Sequence, residues 1–284
     1  MVEAGGRPRP VELHRGREFN RVGEAPVPDA DGLAPLAAPL LGIPSFDPPA
    51  GPLLGEACDV VAGFRDEYYA IAAATREGGL GPRVVTAGRI GPLRLDPDGR
   101  PVRIQRRDFV DPRVDLEELA TGHPRVAEWL GRLLVPKVLV ATQTPVIEAV
   151  ADPDGTLVPL TPVIAVLAPP DLVWSVAGLL SAPSISALAA ARTLGLGRHS
   201  RVVKLAAREI RVLPGLAGGD RWPVVAEAAR AAQSAPSEPD WRAGLLATAR
   251  AADEAVGGGR EDVLAWWSAR LGIENPGAGL RDGR

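Results

Sequence analysis

The chain has 284 residues, enough for one large or two modest domains with a real core, and its formal net charge of −3 excludes a global basic field that would advertise nucleic acid. Glycine (32) and proline (29) together predict many turns and long loops. Cys58 is the sole cysteine, which excludes an intrachain disulfide and a cysteine-based metal site, and His14, His123 and His199 stand too far apart, in unlike contexts, to suggest zinc.

Of 32 cationic residues only Lys137 and Lys204 are lysine. The N-terminus has no apolar signal core, and no run of about 18 apolar residues is present to span a membrane, so the expected location is the cytoplasm.

Ten prolines fall within residues 1–52, a density that forbids a long helix or a central strand. The segment reads as a linker or tail with one short helix near Leu33–Leu41. Within it, Asp47-Pro48-Pro49-Ala50 half-matches the Asp/Asn-Pro-Pro-aromatic loop of amino-directed methyltransferases, where the aromatic stacks on a flipped base. Ala50 supplies no ring, no strand precedes the segment and no Gly-rich cofactor loop lies upstream, so the linker reading stands.

From Leu53 the texture changes. Leu54–Gly63 reads as a short turn or helix entering a strand, followed by Arg65-Asp66-Glu67-Tyr68-Tyr69 and an Ala-rich segment to Glu77. Both tyrosines of the chain stand here beside an arginine, and two readings are open. At a loop tip, Arg65, Tyr68 and Tyr69 stack on bases or sugars and reach phosphate. In a core, Tyr68 packs and Arg65 pairs with Asp66 or Glu67.

Val84-Val85-Thr86 and Val102–Arg106 alternate with period two and predict strands, with a turn at Asp96-Pro97-Asp98-Gly99. From Arg83 to Arg113 eight arginines stand against four aspartates. Arg103, Arg106 and Arg107 either track a nucleic-acid backbone or form the solvated face of an edge strand. Asp115–Leu134 predicts a helix with Asp115 as N-cap, Glu117 and Glu118 in its first turn and Arg132 in its last, interrupted at Gly122-His123-Pro124.

Val135–Thr144 is rich in β-branched residues and predicts a buried strand that leaves into Thr142-Gln143-Thr144. Glutamine is one of two residues suited to bidentate adenine reading, so Gln143, with Thr144, is a candidate groove-facing edge. Lys137, inside the strand, is expected to anchor or to contact phosphate. Pro145–Val150 and Thr156–Pro159 flank Asp152-Pro153-Asp154-Gly155, a hairpin signal. Val163–Leu167 predicts a further strand, Leu172–Leu180 an apolar helix, and Ile185–Leu194 a second helix with Pro183 near its start.

Gly195–Ser200 is a polar loop carrying Arg198 and His199, with Lys204 just beyond. Six cations stand against Glu209 between Arg192 and Arg211, which suits phosphate contact or groove insertion. Ala206–Val212 predicts a short helix. Past Pro214 only helices are expected, over Trp222–Gln233, Asp240–Ala255 and Glu261–Leu271. Trp222, Trp241, Trp266 and Trp267 are expected to pack in their core, and the last dozen or so residues to fray.

The order of these features carries a resemblance over about 160 residues. Leu54-Gly55-Glu56 leads to Gly63-Phe64-Arg65-Asp66-Glu67-Tyr68-Tyr69, then an arginine-rich strand and a helix. Next come Pro136–Ala141, the Asp152–Gly155 turn, Pro162–Val166, the Leu179-Leu180-Ser181-Ala182-Pro183 break, and a closing Val203-Lys204-Leu205 with Leu213-Pro214. The series resembles the target-recognition (specificity) domain of bacterial adenine-specific DNA methyltransferases of the Taq type, related to the specificity subunits of restriction–modification systems.

The resemblance implies an α/β fold: a mixed-sheet target-recognition domain over 53–215, behind a Pro-rich linker (1–52) and before a small helical layer (216–284). It implies that loops and strand edges read the major groove of double-stranded DNA, and it implicates Arg65, Tyr68, Tyr69, Lys137, Gln143, Thr144, His199 and Lys204. Arg106, Arg107 and Arg198 join them on charge alone. S-adenosylmethionine is implied only for a catalytic domain on a partner methyltransferase, so the chain alone is expected to be non-catalytic. The alternatives are an inactive methyltransferase fragment and an enzyme of another type, although no Gly-x-Ser-x-Gly or His-Glu-x-x-His occurs.

Overall fold

The computed structural model describes residues 11–15, 20–25, 34–96, 99–194 and 202–273. The proline-free window between Pro10 and Pro26 forms an antiparallel hairpin, β1 (Val11–Arg15) with β2 (Asn20–Ala25), an element that the proline density around it had hidden. Helix α1 (Ala34–Leu40) lies where a short helix was expected. Ala38 and Ile43 are buried in the main core, so this stretch packs onto the body of the protein.

After α2 (Leu54–Ala57) and β3 (Asp59–Ala62) comes a correction. Arg65–Ala73 is a helix, α3, and not a loop tip. The Phe64 backbone N–H donates to the Glu67 carboxylate at 2.9 Å and closes its first turn. Next are β4 (Thr75–Glu77), β5 (Arg83–Val85) and a 3-10 turn at Ala87–Arg89. Two small hairpins follow, β6 (Ile90–Gly91) with β7 (Arg94–Leu95) and β8 (Val102–Ile104) with β9 (Arg107–Phe109). Strand β10 (Pro112–Val114) leads into α4 (Leu116–Gly122) and α5 (Pro124–Gly131). Asp115 caps α4 by accepting the Glu118 N–H at 2.9 Å, and Pro124 opens α5, where its missing N–H costs nothing.

The remaining strands are β11 (Lys137–Val140), β12 (Ala149–Asp152), β13 (Leu157–Pro159) and β14 (Ile164–Leu167). Helices α6 (Val173–Leu180), α7 (Pro183–Arg192) and α8 (Ala207–Arg211) precede the C-terminal α9 (Trp222–Gln233), α10 (Glu238–Ala255) and α11 (Glu261–Leu271). No single helix among the described residues is long and apolar enough to cross a membrane.

Strands β12, β11, β14 and β3 form one antiparallel sheet in that order; β13, β5, β10 and β4 form a second, with β13 parallel to β5. The alternation of side chains along each strand decides the layers. Val138 and Val140 of β11, with Ile164 and Val166 of β14, enter a core shared with α6, α7, α9 and α10. Their neighbours Leu139, Val163 and Ala165 face the other way, against Val85 and Ile90. On β5, Val85 belongs to this layer between the sheets, while Val84 packs with Ile71, Leu119 and Leu130 of α3–α5. The stack is therefore helices, β3 sheet, β5 sheet, helices. Trp222 and Trp267 are buried in the first core, which joins Leu54 to Val225 across residue 215.

The expected hairpin at Asp152–Gly155 is also corrected. The turn is real: the Asp152 carboxylate accepts the Thr156 and Leu157 N–H groups, and Gly155 at φ +67 lies so close to Val135 that a Cβ would fall 2.6 Å from its backbone. The strands on either side nevertheless join different sheets, β12 pairing with β11 and β13 with β5.

Candidate nucleic-acid interface

The eight arginines between Arg83 and Arg113 divide in two. Arg83 pairs with Asp96 and Asp111, Arg113 with Asp111, and Arg94 with Glu238. Arg89, 4% exposed, bonds the Asp96 carboxylate at 2.8 Å and the Val110 carbonyl at 2.7 Å, tying the turn to the β8–β9 hairpin. Arg100, Arg103, Arg106 and Arg107 are exposed, and none has an acidic partner among the described residues.

Three of these four sit on one hairpin. Ile104 pairs with Arg107, leaving Gln105 and Arg106 as a two-residue turn with φ of 45° and 68°. That is the backbone of a type I′ turn, normally served by Asn-Gly. The strand expected over Val102–Arg106 therefore ends at Ile104, and Arg106 stands at a tip. The Arg107 guanidinium lies 4.9 Å from the Phe109 ring centroid. A cleft of about 320 Å³, lined by Arg89, Arg100 and Arg103, runs between this hairpin and the 3-10 turn.

Gly88 borders that cleft and a second, of about 420 Å³, along the β11–β12 loop. The loop is closed by the Ala141 N–H donating to the Glu148 carbonyl at 2.9 Å. Gln143 is exposed at φ 63° and makes no hydrogen bond through its side chain among the described residues. Thr142, 9% exposed, holds an Oγ1 without a partner, and the half-buried Glu148 carboxyl is pushed up to about 7 by burial. Trp241, which donates Nε1–H to the Pro92 carbonyl at 3.0 Å, forms part of the wall. Val203 donates its N–H to the Thr144 carbonyl at 2.8 Å, which brings exposed Lys204 to this edge.

The structure thus gathers Gln143, Thr144 and Lys204 at one edge, with Arg106 and Arg107 on the hairpin beyond the adjoining cleft. Thr144 itself is 9% exposed and its hydroxyl donates to the Val146 carbonyl, so its role here is to hold the loop. Of the two roles expected for Lys137, the structure has the anchor and corrects the phosphate contact. The lysine is fully buried and ion-paired with Asp152 at 2.5 Å, out of reach of any phosphate. Burial pushes its ammonium below the usual lysine range, against the pull of Asp152. Arg65, Tyr68 and Tyr69 form a cluster of their own on α3: Arg65 lies 5.4 Å from the Tyr69 ring centroid, and the two rings meet edge to face at 5.3 Å. Tyr68 packs on the α3–α5 core while Tyr69 is half exposed. None of the three lines either cleft. Arg198 and His199 lie outside the described residues.

Sequence reasoning missed Glu148 and treated Trp241 purely as core. The signal for Glu148 was available: between Leu133 and Ala151 the only charged residues are Lys137 and Glu148. A lone carboxylate in an apolar run needs either a partner or a use.

No protein-family model matches the chain, and no curated protein does. Among solved structures it is similar to the type IIL restriction-modification enzyme MmeI, determined in complex with DNA, at 11% identity and a TM-score of 0.39 over 81% of this chain and 36% of that one. The chain thus spans about a third of that protein's length.

Proposed function

We propose that this chain is the DNA sequence-recognition module of a bacterial adenine-specific DNA methyltransferase or restriction–modification system, acting in the cytoplasm and non-catalytic by itself. The observation that carries the reading is the set of exposed arginines without acidic partners among the described residues, Arg100, Arg103, Arg106 and Arg107, beside adjoining clefts of which the second is lined by Gln143, with Lys204 following the Val203 that bonds Thr144. Unpaired guanidinium groups on a projecting hairpin are free to take phosphate oxygens, and phosphate contacts fix register without reading sequence. The cleft next to them supplies the amide, hydroxyl and carboxyl groups that base reading requires. The ordered series of motifs from Leu54 to Pro214 supports the same reading.

Methyl transfer is assigned to a separate catalytic chain that binds S-adenosylmethionine. Every pairing in the β3 sheet is antiparallel, unlike the parallel doubly wound sheet whose switch point holds nucleotide cofactors. The competing reading of the arginines is a solvated edge that discourages strand pairing, since β8–β9 is a two-stranded sheet with open edges.

Fluorescence anisotropy with duplex DNA across a salt series separates the two. Recognition requires an affinity that falls with salt at a log–log slope near −3 to −4, on the order of 0.9 per phosphate for the hairpin and Arg100. No binding to any duplex at low salt, with or without a partner methyltransferase, would sink the proposal.

A further inference from the structure

The β11–β12 loop cleft has a composition that phosphate binding does not explain. Glu148 is the one ionisable side chain lining it among the described residues, and a carboxylate there repels a phosphate. Burial is the cause of its raised pKa, and the cations at the lining residues are held by other groups: Arg94 pairs with Glu238 and lies 5.2 Å from the Trp241 ring centroid, and Arg270 donates to the Pro145 carbonyl at 3.0 Å. Thr142, nine-tenths buried, lines the same cleft, and its Oγ1 has no hydrogen-bond partner. A buried hydroxyl without a partner is unfavourable, as is charging a half-buried carboxyl beside it, and a ligand that bonds both offsets those penalties. The lining also includes Pro92, Pro145 and the half-buried Trp241. About 420 Å³ is room for one heterocycle and not for a helix.

We propose that this cleft receives the amine-bearing edge of a single nucleobase, adenine or cytosine, with Glu148 accepting its exocyclic N–H, Thr142 Oγ1 making the second polar contact and Trp241 forming the wall. Gln143, exposed at the rim, then lies beside the base and not at its centre. This rests on the recognition role proposed above, and makes Glu148 a specificity-determining residue. Either protonation state of the carboxyl accepts a hydrogen bond from an amine.

The test is enrichment of duplexes from a fully randomised pool by the full-length chain, comparing wild type with Glu148→Ala and Thr142→Val, each checked for native melting. The wild type is expected to enrich adenine or cytosine at one position. Glu148→Ala should lower discrimination at that position alone by about 5- to 150-fold, the range of one good base contact. Thr142→Val keeps the side-chain shape, guards against a misfolded alanine variant, and should weaken the same position. A Glu148→Ala motif identical to wild type, or one weakened equally at every position, overturns the proposal. If the wild type binds duplex but enriches no sequence, the base pocket fails while phosphate binding survives. If it binds no duplex, the recognition role fails with it.

Discussion

The arginine hairpin and the C-terminal helices carry the same cation in opposite circumstances. On α9–α11 and the turns between them, Arg242 pairs with Glu238 and Arg260 with Asp262, Arg221 donates to the Glu254 carbonyl, and Arg230 lies 5.5 Å from the Trp174 ring centroid. On the hairpin, Arg103 and Arg106 have no protein partner among the described residues, and Arg107 has only the Phe109 ring. Counting arginines treats these surfaces as equal. Counting partners separates them, because a guanidinium already held by carboxylate or carbonyl must give up that bond before it can take a phosphate.

The largest effect expected from this view belongs to the most completely partnered cation. Lys137→Met removes one half of an ion pair buried at 0% and 3% exposure and leaves the Asp152 charge in the interior. Losing one member of such a pair costs about 3–5 kcal/mol, so urea unfolding should show a midpoint collapse. A loss below about 1 kcal/mol would mean that Lys137 is not bound as the structure has it.

Next is a direct contrast of the two surfaces. Arg103→Ala, Arg106→Ala and Arg107→Ala combined should weaken duplex binding on the order of 100-fold at physiological salt and flatten the salt slope by about 3. Arg221→Ala, Arg230→Ala and Arg242→Ala combined remove the same charge from the helical layer and should change affinity less than about 3-fold, because these groups are engaged or remote from both clefts. Equal losses from the two triples would abolish the distinction.

Glu148 is the acidic counterpart, a carboxyl without a partner. Its value, lifted from 4.5 to about 7 by burial, means the fold prefers the neutral form. The sign follows from proton binding: below about pH 4.5 folded and unfolded chains are both protonated, and the residue contributes no pH dependence. As pH rises from about 4.5 to 7 the unfolded chain releases this proton while the native state keeps it, so stability falls by on the order of 2–3 kcal/mol and levels off above 7, the lower end allowing for its remaining contact with water. Glu148→Gln should therefore be the more stable protein at pH 8 and lose that advantage by pH 4. Chemical denaturation at the two values checks it.

The same division between local and distant partners explains what was legible in the sequence. Asp115, Pro124 and Pro183 act on their own helices, and each stands where the sequence put it. The turn at Asp152–Gly155 was legible too, because its hydrogen bonds span at most five residues. That its flanking strands part into two sheets was not, since β13 finds β5 more than seventy residues earlier in the chain. Lys137 misled for the same reason: Asp152 stands directly across the ladder from it, a pairing of register that local pattern does not display. The α3 helix was obscured by its own aromatic and charged residues, which look like a tip until Glu67 closes the first turn onto Phe64. Of the candidate site, the polar exit at Gln143 and the cations of the hairpin were visible as residue types. Their grouping around Gly88 depends on the stacking of two sheets and could not be.

The smallest effect separates binding from folding at one position. Arg106 holds φ at 68° in a turn that glycine serves without a steric penalty. If the arginine were there for the fold, Arg106→Gly would be harmful. Because its side chain is exposed and unpaired among the described residues, the substitution removes only backbone strain and a charge. The loss of a left-handed non-glycine residue should stabilise the hairpin by roughly 0.5–1 kcal/mol, partly offset by the greater freedom of glycine in the unfolded chain. The same variant should lose about one counterion from the salt slope of DNA binding. Stability that rises or holds while the slope falls would mean that the strained tip is kept for what it touches. Stability that falls with the slope unchanged would return Arg106 to the solvated edge of a small sheet.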